Sequence, residues 1–264
     1  MAEVVSTVRM AVLGARGRMG ARCLALGAED PGLDPVLGLV RPGGAADRGA
    51  DGSGPLLASA WPDGVAADVL VDFAQPDAMA QACGLAREHG LAWVCGTTGL
   101  SDAQRGLLDE AAADVPVLWA SNFSAVVQVL FALAEQATRL LGDGYDPEIV
   151  EAHHRFKRDA PSGTALELAR RVCAASGRDF DRDVQVDRQG DDLRKPGQLT
   201  IQSQRFGDTP GEHTLTLGGV GERLEVRHQA TSRDSYVVGA LRAAKWLAGK
   251  PAGRYEMAQV LGID

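Results

Sequence analysis

The chain reads first as short apolar runs separated by amphipathic stretches. Residues 8–13 form a β-type run, Val-Arg-Met-Ala-Val-Leu, that stops at Gly14, and 18–28 is helix-compatible. Further apolar runs at 35–40, 67–73, 91–95 and 115–119 predict strands, and the stretches 76–89 and 101–113 between them predict helices. Strands that are apolar almost throughout and alternate with helices predict a parallel sheet covered on both faces. The segment 41–55, rich in Gly, Ala and Asp, predicts a mobile surface loop.

The pattern then changes. A long helix is predicted over 124–141, followed by a strand over 147–152, a polar loop and a helix over 162–176. Runs at 199–204, 213–217 and 223–229 alternate apolar with polar side chains, which predicts antiparallel strands with one wet face. Gly218-Gly219-Val220-Gly221 would be the hairpin joining the last two. A closing helix over 236–248 returns to the style of the first half. The expected fold class is α/β, with an α+β domain inserted into it.

Composition narrows the function. Hydrophobic residues are 45% and charged residues 23% of 264, the balance of a soluble globular chain. Lys and Arg number 27 against 35 Asp and Glu, a net charge of −8, which argues against nucleic-acid or anionic-membrane partners. The longest apolar stretch, around 126–134, is interrupted by Gln128 and falls short of a membrane span. The opening Met1-Ala2-Glu3-Val4-Val5 lacks the layout of a signal peptide. Cys23, Cys83, Cys95 and Cys173 show neither CxxC nor zinc spacing, so buried thiols, no metal site and a cytoplasmic location are expected.

Gly14-Ala15-Arg16-Gly17-Arg18-Met19-Gly20 sits where the first strand meets the first helix. Glycines there let the backbone turn tightly and approach a pyrophosphate, which free N–H groups at the helix start attract. Where an NAD-binding chain would carry a ribose-binding acid, this one reads Val40-Arg41, and a guanidinium suits the 2′-phosphate of NADPH. Gly96-Thr97-Thr98-Gly99 and Ala120-Ser121-Asn122-Phe123-Ser124 follow later strands, at the ends where such sheets bind ligands. The densest segment is 148–165. Its His153, His154, Arg155, Lys157 and Arg158 make a local positive cluster in an acidic chain, which points to an anionic substrate. Ser162-Gly163-Thr164 opens a helix, with Ser162 as N-cap and amides placed to hold a carboxylate. His153 and Lys157 can donate protons, and Glu148 and Glu151 would orient the basic residues.

In order and content these motifs resemble bacterial 4-hydroxy-tetrahydrodipicolinate reductase, the dihydrodipicolinate reductase family. The resemblance adds Val71-Asp72-Phe73, Gly211-Glu212-His213-Thr214, Gly221-Glu222-Arg223 and 228–233, and it covers nearly the whole chain. It implies a Rossmann-type dinucleotide-binding domain over 1–124 plus 235–264 and a substrate-binding and tetramerisation domain over 125–234. The implied activity is reduction of a cyclic imine dicarboxylate with NADPH or NADH in diaminopimelate and lysine biosynthesis, by a homotetramer. His153 and Lys157 would be catalytic, with His154, Ser162, Gly163 and Thr164 binding substrate. Residues 14–19 together with Arg41, Gly96, Thr97, Thr98, Ala120, Ser121, Asn122 and Phe123 would hold the cofactor. Val40 departs from the acid common in relatives, Val126 from a glycine, and Leu199-Thr200-Ile201 from an Ile-Gly-Phe-type strand. Two other readings stand beside this one: a related amino-acid or dicarboxylate dehydrogenase, and a non-catalytic NADP sensor. A sensor has no use for the His-His-Lys cluster.

Overall fold

The computed structural model describes residues 7–41, 54–191 and 193–263. Most of the loop expected over 41–55 lies outside them. In chain order the elements are β1 (Val8–Leu13), α1 (Arg18–Glu29), β2 (Leu33–Leu39), β3 (Leu56–Ala58), β4 (Val69–Asp72), α2 (Met79–Glu88), β5 (Ala92–Cys95), α3 (Asp102–Ala112) and β6 (Pro116–Trp119). There follow α4 (Ala125–Leu141), β7 (Asp146–His153), α5 (Gly163–Ser176), α6 (Phe180–Asp183), β8 (Val184–Val186), β9 (Leu199–Arg205), β10 (Gly211–Gly218) and β11 (Arg223–Ala230). The chain closes with α7 (Asp234–Leu247), β12 (Gly253–Tyr255) and α8 (Met257–Leu261). It divides into two compact units, Met1–Ser124 with Asp234–Asp264, and Ala125–Arg233.

The first unit is a parallel sheet in the order β12-β6-β5-β4-β1-β2-β3. Its strands read as continuous apolar runs because both faces are covered. Met10, Val12, Val69 and Val71 pack under α1 and α7, while Ala11, Leu13, Leu70 and Trp93 pack under α2 and α3. Strand order reverses at β1, whose neighbours are β2 on one side and β4 on the other. The crevice outside the carboxyl ends of β1 and β4 is therefore the place where a doubly wound sheet takes its ligand.

The second unit has the order β11-β10-β7-β9-β8. β10 runs antiparallel to β7 and β11, as the alternation predicted. β9, expected to be antiparallel, instead runs parallel to β7. The chain travels back through α5 before rejoining the sheet, and a helical crossover returns a strand in the same direction. Leu199 and Ile201 of β9 face the core with Ile149, Leu215 and Leu168. Thr200 lies on the other face, where its hydroxyl accepts Arg188 at 3.1 Å.

The helical run Ala125–Gly144 is long and apolar enough, by length and composition alone, to cross a membrane, which exceeds the shorter stretch read from the sequence. Within its unit the inner face of that helix, Val127, Leu130, Phe131 and Ala134, is buried against α5 and the sheet.

Candidate active site

At the carboxyl end of β1, Gly14 takes a left-handed φ of 79°. A Cβ there would lie 3.2 Å from the Ala74 Cα, and one on Gly20 would collide with the Gly14 carbonyl. The turn is thus bare backbone, a cradle that side chains would fill. The amides of Gly14 and Ala15 both donate to the Leu39 carbonyl at 3.0 Å, and that of Gly17 to Gly14 at 2.8 Å. These three N–H groups close the turn. A pyrophosphate would instead meet the first-turn amides of α1, at Arg18 and Met19, which have no intrahelical acceptor. Ala15, expected among the cofactor contacts, is a buried structural residue packed toward Gly38.

A cavity of about 570 Å³ opens beside this turn, lined among others by Gly14, Arg16, Gly17, Val40 and the exposed Arg41. Of its other wall, from Phe73 to Gln81, the sequence marked only Phe73, as the end of Val71-Asp72-Phe73. The strand-end position of Phe73 was the available signal. The described lining does not include the 96–98 or 120–123 loops. Gly96 and Ala120 are half-buried at the ends of β5 and β6, and Thr98 and Ser121 are exposed. Thr97 is buried, its hydroxyl on the Ala74 carbonyl at 3.2 Å. Asn122 accepts the Ser124 amide at 2.9 Å. Phe123 is 2% exposed and packs edge-on against Phe73, so its side chain belongs to the core and not to a cofactor surface.

In the second unit, strand register assembles a polar row on the helix-covered face. Val226, Leu215, Ile149 and Ile201 stand opposite one another across β11, β10, β7 and β9. Two residues along, the same face carries His228, His213, Glu151 and Ser203, and beyond them His153 beside Arg205. Glu151 is fully buried. One oxygen lies 2.5 Å from His153 Nδ1, the Arg205 guanidinium grips both oxygens at 2.7 and 2.9 Å, and the Ser162 amide donates at 3.1 Å. Burial would raise its pKa, but His153 and Arg205 outweigh it and bring the carboxyl down to about 2.

Ser162 caps α5 by accepting the Ala165 amide at 3.2 Å, and its hydroxyl also meets His213 Nε2 at 3.2 Å. At 2% exposed and with its hydroxyl committed twice, it shapes the helix start and does not offer that side chain to substrate. Burial, reinforced by His153 and His228, pushes His213 down to about 3, and burial also lowers His228. His213 stacks on His228 with their Nδ1 atoms 3.5 Å apart, so neutral imidazoles back the helix start. Exposed Gly163 opens α5 with empty space above its Cα, and Thr164 and His154 are half-buried close by in sequence. Lys157 donates to both Asp159 oxygens, at 2.9 and 2.8 Å. Glu148 binds Arg188 and Arg194 and takes no part in this row. Sequence reasoning assigned no role to Arg205, His213 or His228, which only pairing register brings to Glu151.

A doubly wound parallel sheet with a glycine cradle at its switch point, joined to a unit bearing a buried row of histidine, glutamate and arginine side chains, defines an oxidoreductase that uses a nicotinamide dinucleotide. Comparison with known proteins makes this specific. The families described as dihydrodipicolinate reductase, N-terminus, and dihydrodipicolinate reductase, C-terminus, match residues 8–123 and 126–261. The chain is 43% identical to 4-hydroxy-tetrahydrodipicolinate reductase of Alkalilimnicola ehrlichii, over 97% of this chain and 100% of that one. It is 45% identical to the protein of the same name from Anaeromyxobacter sp., over 97% and 98%. Among solved structures, a dipicolinate-bound dihydrodipicolinate reductase from Paenisporosarcina sp. TG-14 shares the fold, with a TM-score of 0.71 at 20% identity over 96% and 98% of the two chains. The chain belongs to the dihydrodipicolinate reductase family.

Proposed function

We propose that this chain converts (2S,4S)-4-hydroxy-2,3,4,5-tetrahydrodipicolinate, a reduced nicotinamide dinucleotide and a proton into tetrahydrodipicolinate, the oxidised dinucleotide and water, in cytoplasmic diaminopimelate and lysine biosynthesis. The observation that carries the reading is His153, held by the buried Glu151 beside the start of α5. The dinucleotide supplies the hydride when bound. Glu151 accepts the Nδ1 proton of His153, which leaves Nε2 to take or give the proton the reduction needs. Lys157 is the second proton donor and exchanges Asp159 for the anionic substrate. The Gly163 and Thr164 amides, with His154, hold a substrate carboxylate at the positive end of α5.

NADPH is the preferred cofactor and NADH the weaker one, because Arg41 borders the cavity and Val40 replaces an acid. The assembly is a homotetramer built through the second unit. The sheet face opposite the helices carries half-buried Glu148, Val150, Thr214 and Thr216, and Val126, Val129 and Leu133 of α4 are exposed. Light scattering of the purified protein tests this, and a monomer at micromolar concentration would refute it.

The activity is tested by adding purified protein to a dihydrodipicolinate synthase, pyruvate and aspartate semialdehyde and following the absorbance of reduced nicotinamide. Synthase-dependent oxidation, lost in His153→Ala and Lys157→Ala, is expected. A folded protein that binds NADPH and oxidises none of it under these conditions would overturn the assignment.

A further inference from the structure

The Val71-Asp72-Phe73 motif takes no part in the proton chemistry above, yet Asp72, the last residue of β4, is 1% exposed. Its Oδ1 accepts the Ala74 amide at 2.8 Å and the Thr97 hydroxyl at 3.4 Å. The Cys95 thiol lies 3.6 Å from Oδ2. Among the described residues no lysine, arginine or histidine pairs with it. The Asp72 carbonyl accepts the Gly96 amide at 2.7 Å, and the Thr97 carbonyl accepts Trp119 Nε1–H at 2.9 Å. One residue therefore joins the turns that follow β4 and β5. Ala74 abuts the Gly14 cradle, and the Phe73 ring occupies the space a Gly96 Cβ would need.

We propose that Asp72 is a positioning residue of the dinucleotide crevice, which through Ala74 and Thr97 sets the two turns at the carboxyl ends of β4 and β5, the first of which lines the cavity. The inference rests on the dinucleotide reading of the crevice and adds a residue to it. An asparagine would make the same turn without burying a charge. Burial is the largest influence on Asp72 and pushes it up to about 6, opposed by the bonds from Ala74, Cys95 and Thr97. The one titratable group facing it among these is Cys95, itself raised well above the usual thiol range by burial. Asp72 thus gains its charge close to neutral pH, where it repels the anionic dinucleotide. Affinity falls as pH rises through that value.

Binding of NADPH to the full chain, read by fluorescence without turnover, is the test, between about pH 5 and about pH 8. NADH run alongside removes the titration of the 2′-phosphate. Asp72→Ala should weaken binding roughly tenfold or more. Asp72→Asn keeps the Oδ1 acceptor and should restore affinity to within about threefold, lose the fall with pH, and melt no lower than the parent at about pH 8. Wild-type affinity in a folded Asp72→Ala would overturn the proposal, and so would an unchanged pH profile in Asp72→Asn. If Asp72→Ala does not fold, the Asp72→Asn profile decides. Failure of the parent chain to bind either dinucleotide would overturn the crevice reading itself, and the proposal with it.

Discussion

Glu151 keeps its charge although water does not reach it, because His153, Arg205 and the Ser162 amide use its acceptor sites together. Glu151→Gln removes the charge and leaves the strand intact. The expected result is a kcat reduced about 100-fold, the lower range for positioned acid–base groups, with NADPH affinity unchanged. Steady-state kinetics and a binding titration together check it. His213 predicts a pH effect. Its folded value of about 3 lies below the ordinary ~6.5, so the unfolded chain takes up its proton first as pH falls. The stability that His213 contributes is present above about pH 6.5 and is lost on acidification, at about 1.4 kcal/mol per pH unit, down to its folded value. Glu151, depressed from the usual ~4.3 to about 2, adds a loss in the same direction at lower pH. Asp72, raised to about 6, opposes them in the other unit: its contribution weakens as pH rises from about 4 to 6. Melting curves of His213→Gln should therefore start lower at neutral pH and show a shallower acid decline than the parent. Parallel declines would show that His213 is not the titrating group. At the cofactor cavity, Arg41→Ala should weaken NADPH roughly tenfold and leave NADH nearly unchanged, as paired titrations would show.

At the scale of elements, two helix starts are built by different means. α5 is capped by a side chain, and α1 by the bare backbone of a glycine turn. Ser162→Ala removes the cap and leaves His213 Nε2 without its hydroxyl partner. A loss of about 1–2 kcal/mol is expected, or a midpoint lower by roughly 2–8 °C, with Ser162→Thr recovering most of it in calorimetry. Gly20→Ala tests the other start. Alanine is the better helix former by about 1 kcal/mol, yet its methyl group would meet the Gly14 carbonyl. NADPH binding should fall at least tenfold while the protein remains folded, by titration and circular dichroism. Most elements were legible because they repeat a pattern long enough to register, from β1 to the closing helix. The three-residue strands β3, β8 and β12 are shorter than two periods of alternation, so no pattern marks them.

At the scale of the molecule, the two units have separate apolar cores, and the dinucleotide cavity lies wholly in the first. NADPH at about 100 times its Kd stabilises the unit it binds by about 2.7 kcal/mol. Amide exchange in β1 and β4 should slow up to about 100-fold, with little change in β7 and β10, by mass-spectrometric hydrogen exchange. Equal slowing in both units would show that they open as one. The order of strands and helices, the glycine cradle and the cap at Ser162 were all written in local sequence. Periodicity, turn chemistry and capping depend on residues within a few positions of one another. The direction of β9, the delivery of Arg205 across 54 positions to Glu151, and the row that joins His213 to His228 were decided by the tertiary structure alone. So were the inward roles of Ala15, Phe123 and Ser162, since which strand pairs with which, and what then covers a side chain, depends on partners distant in the chain.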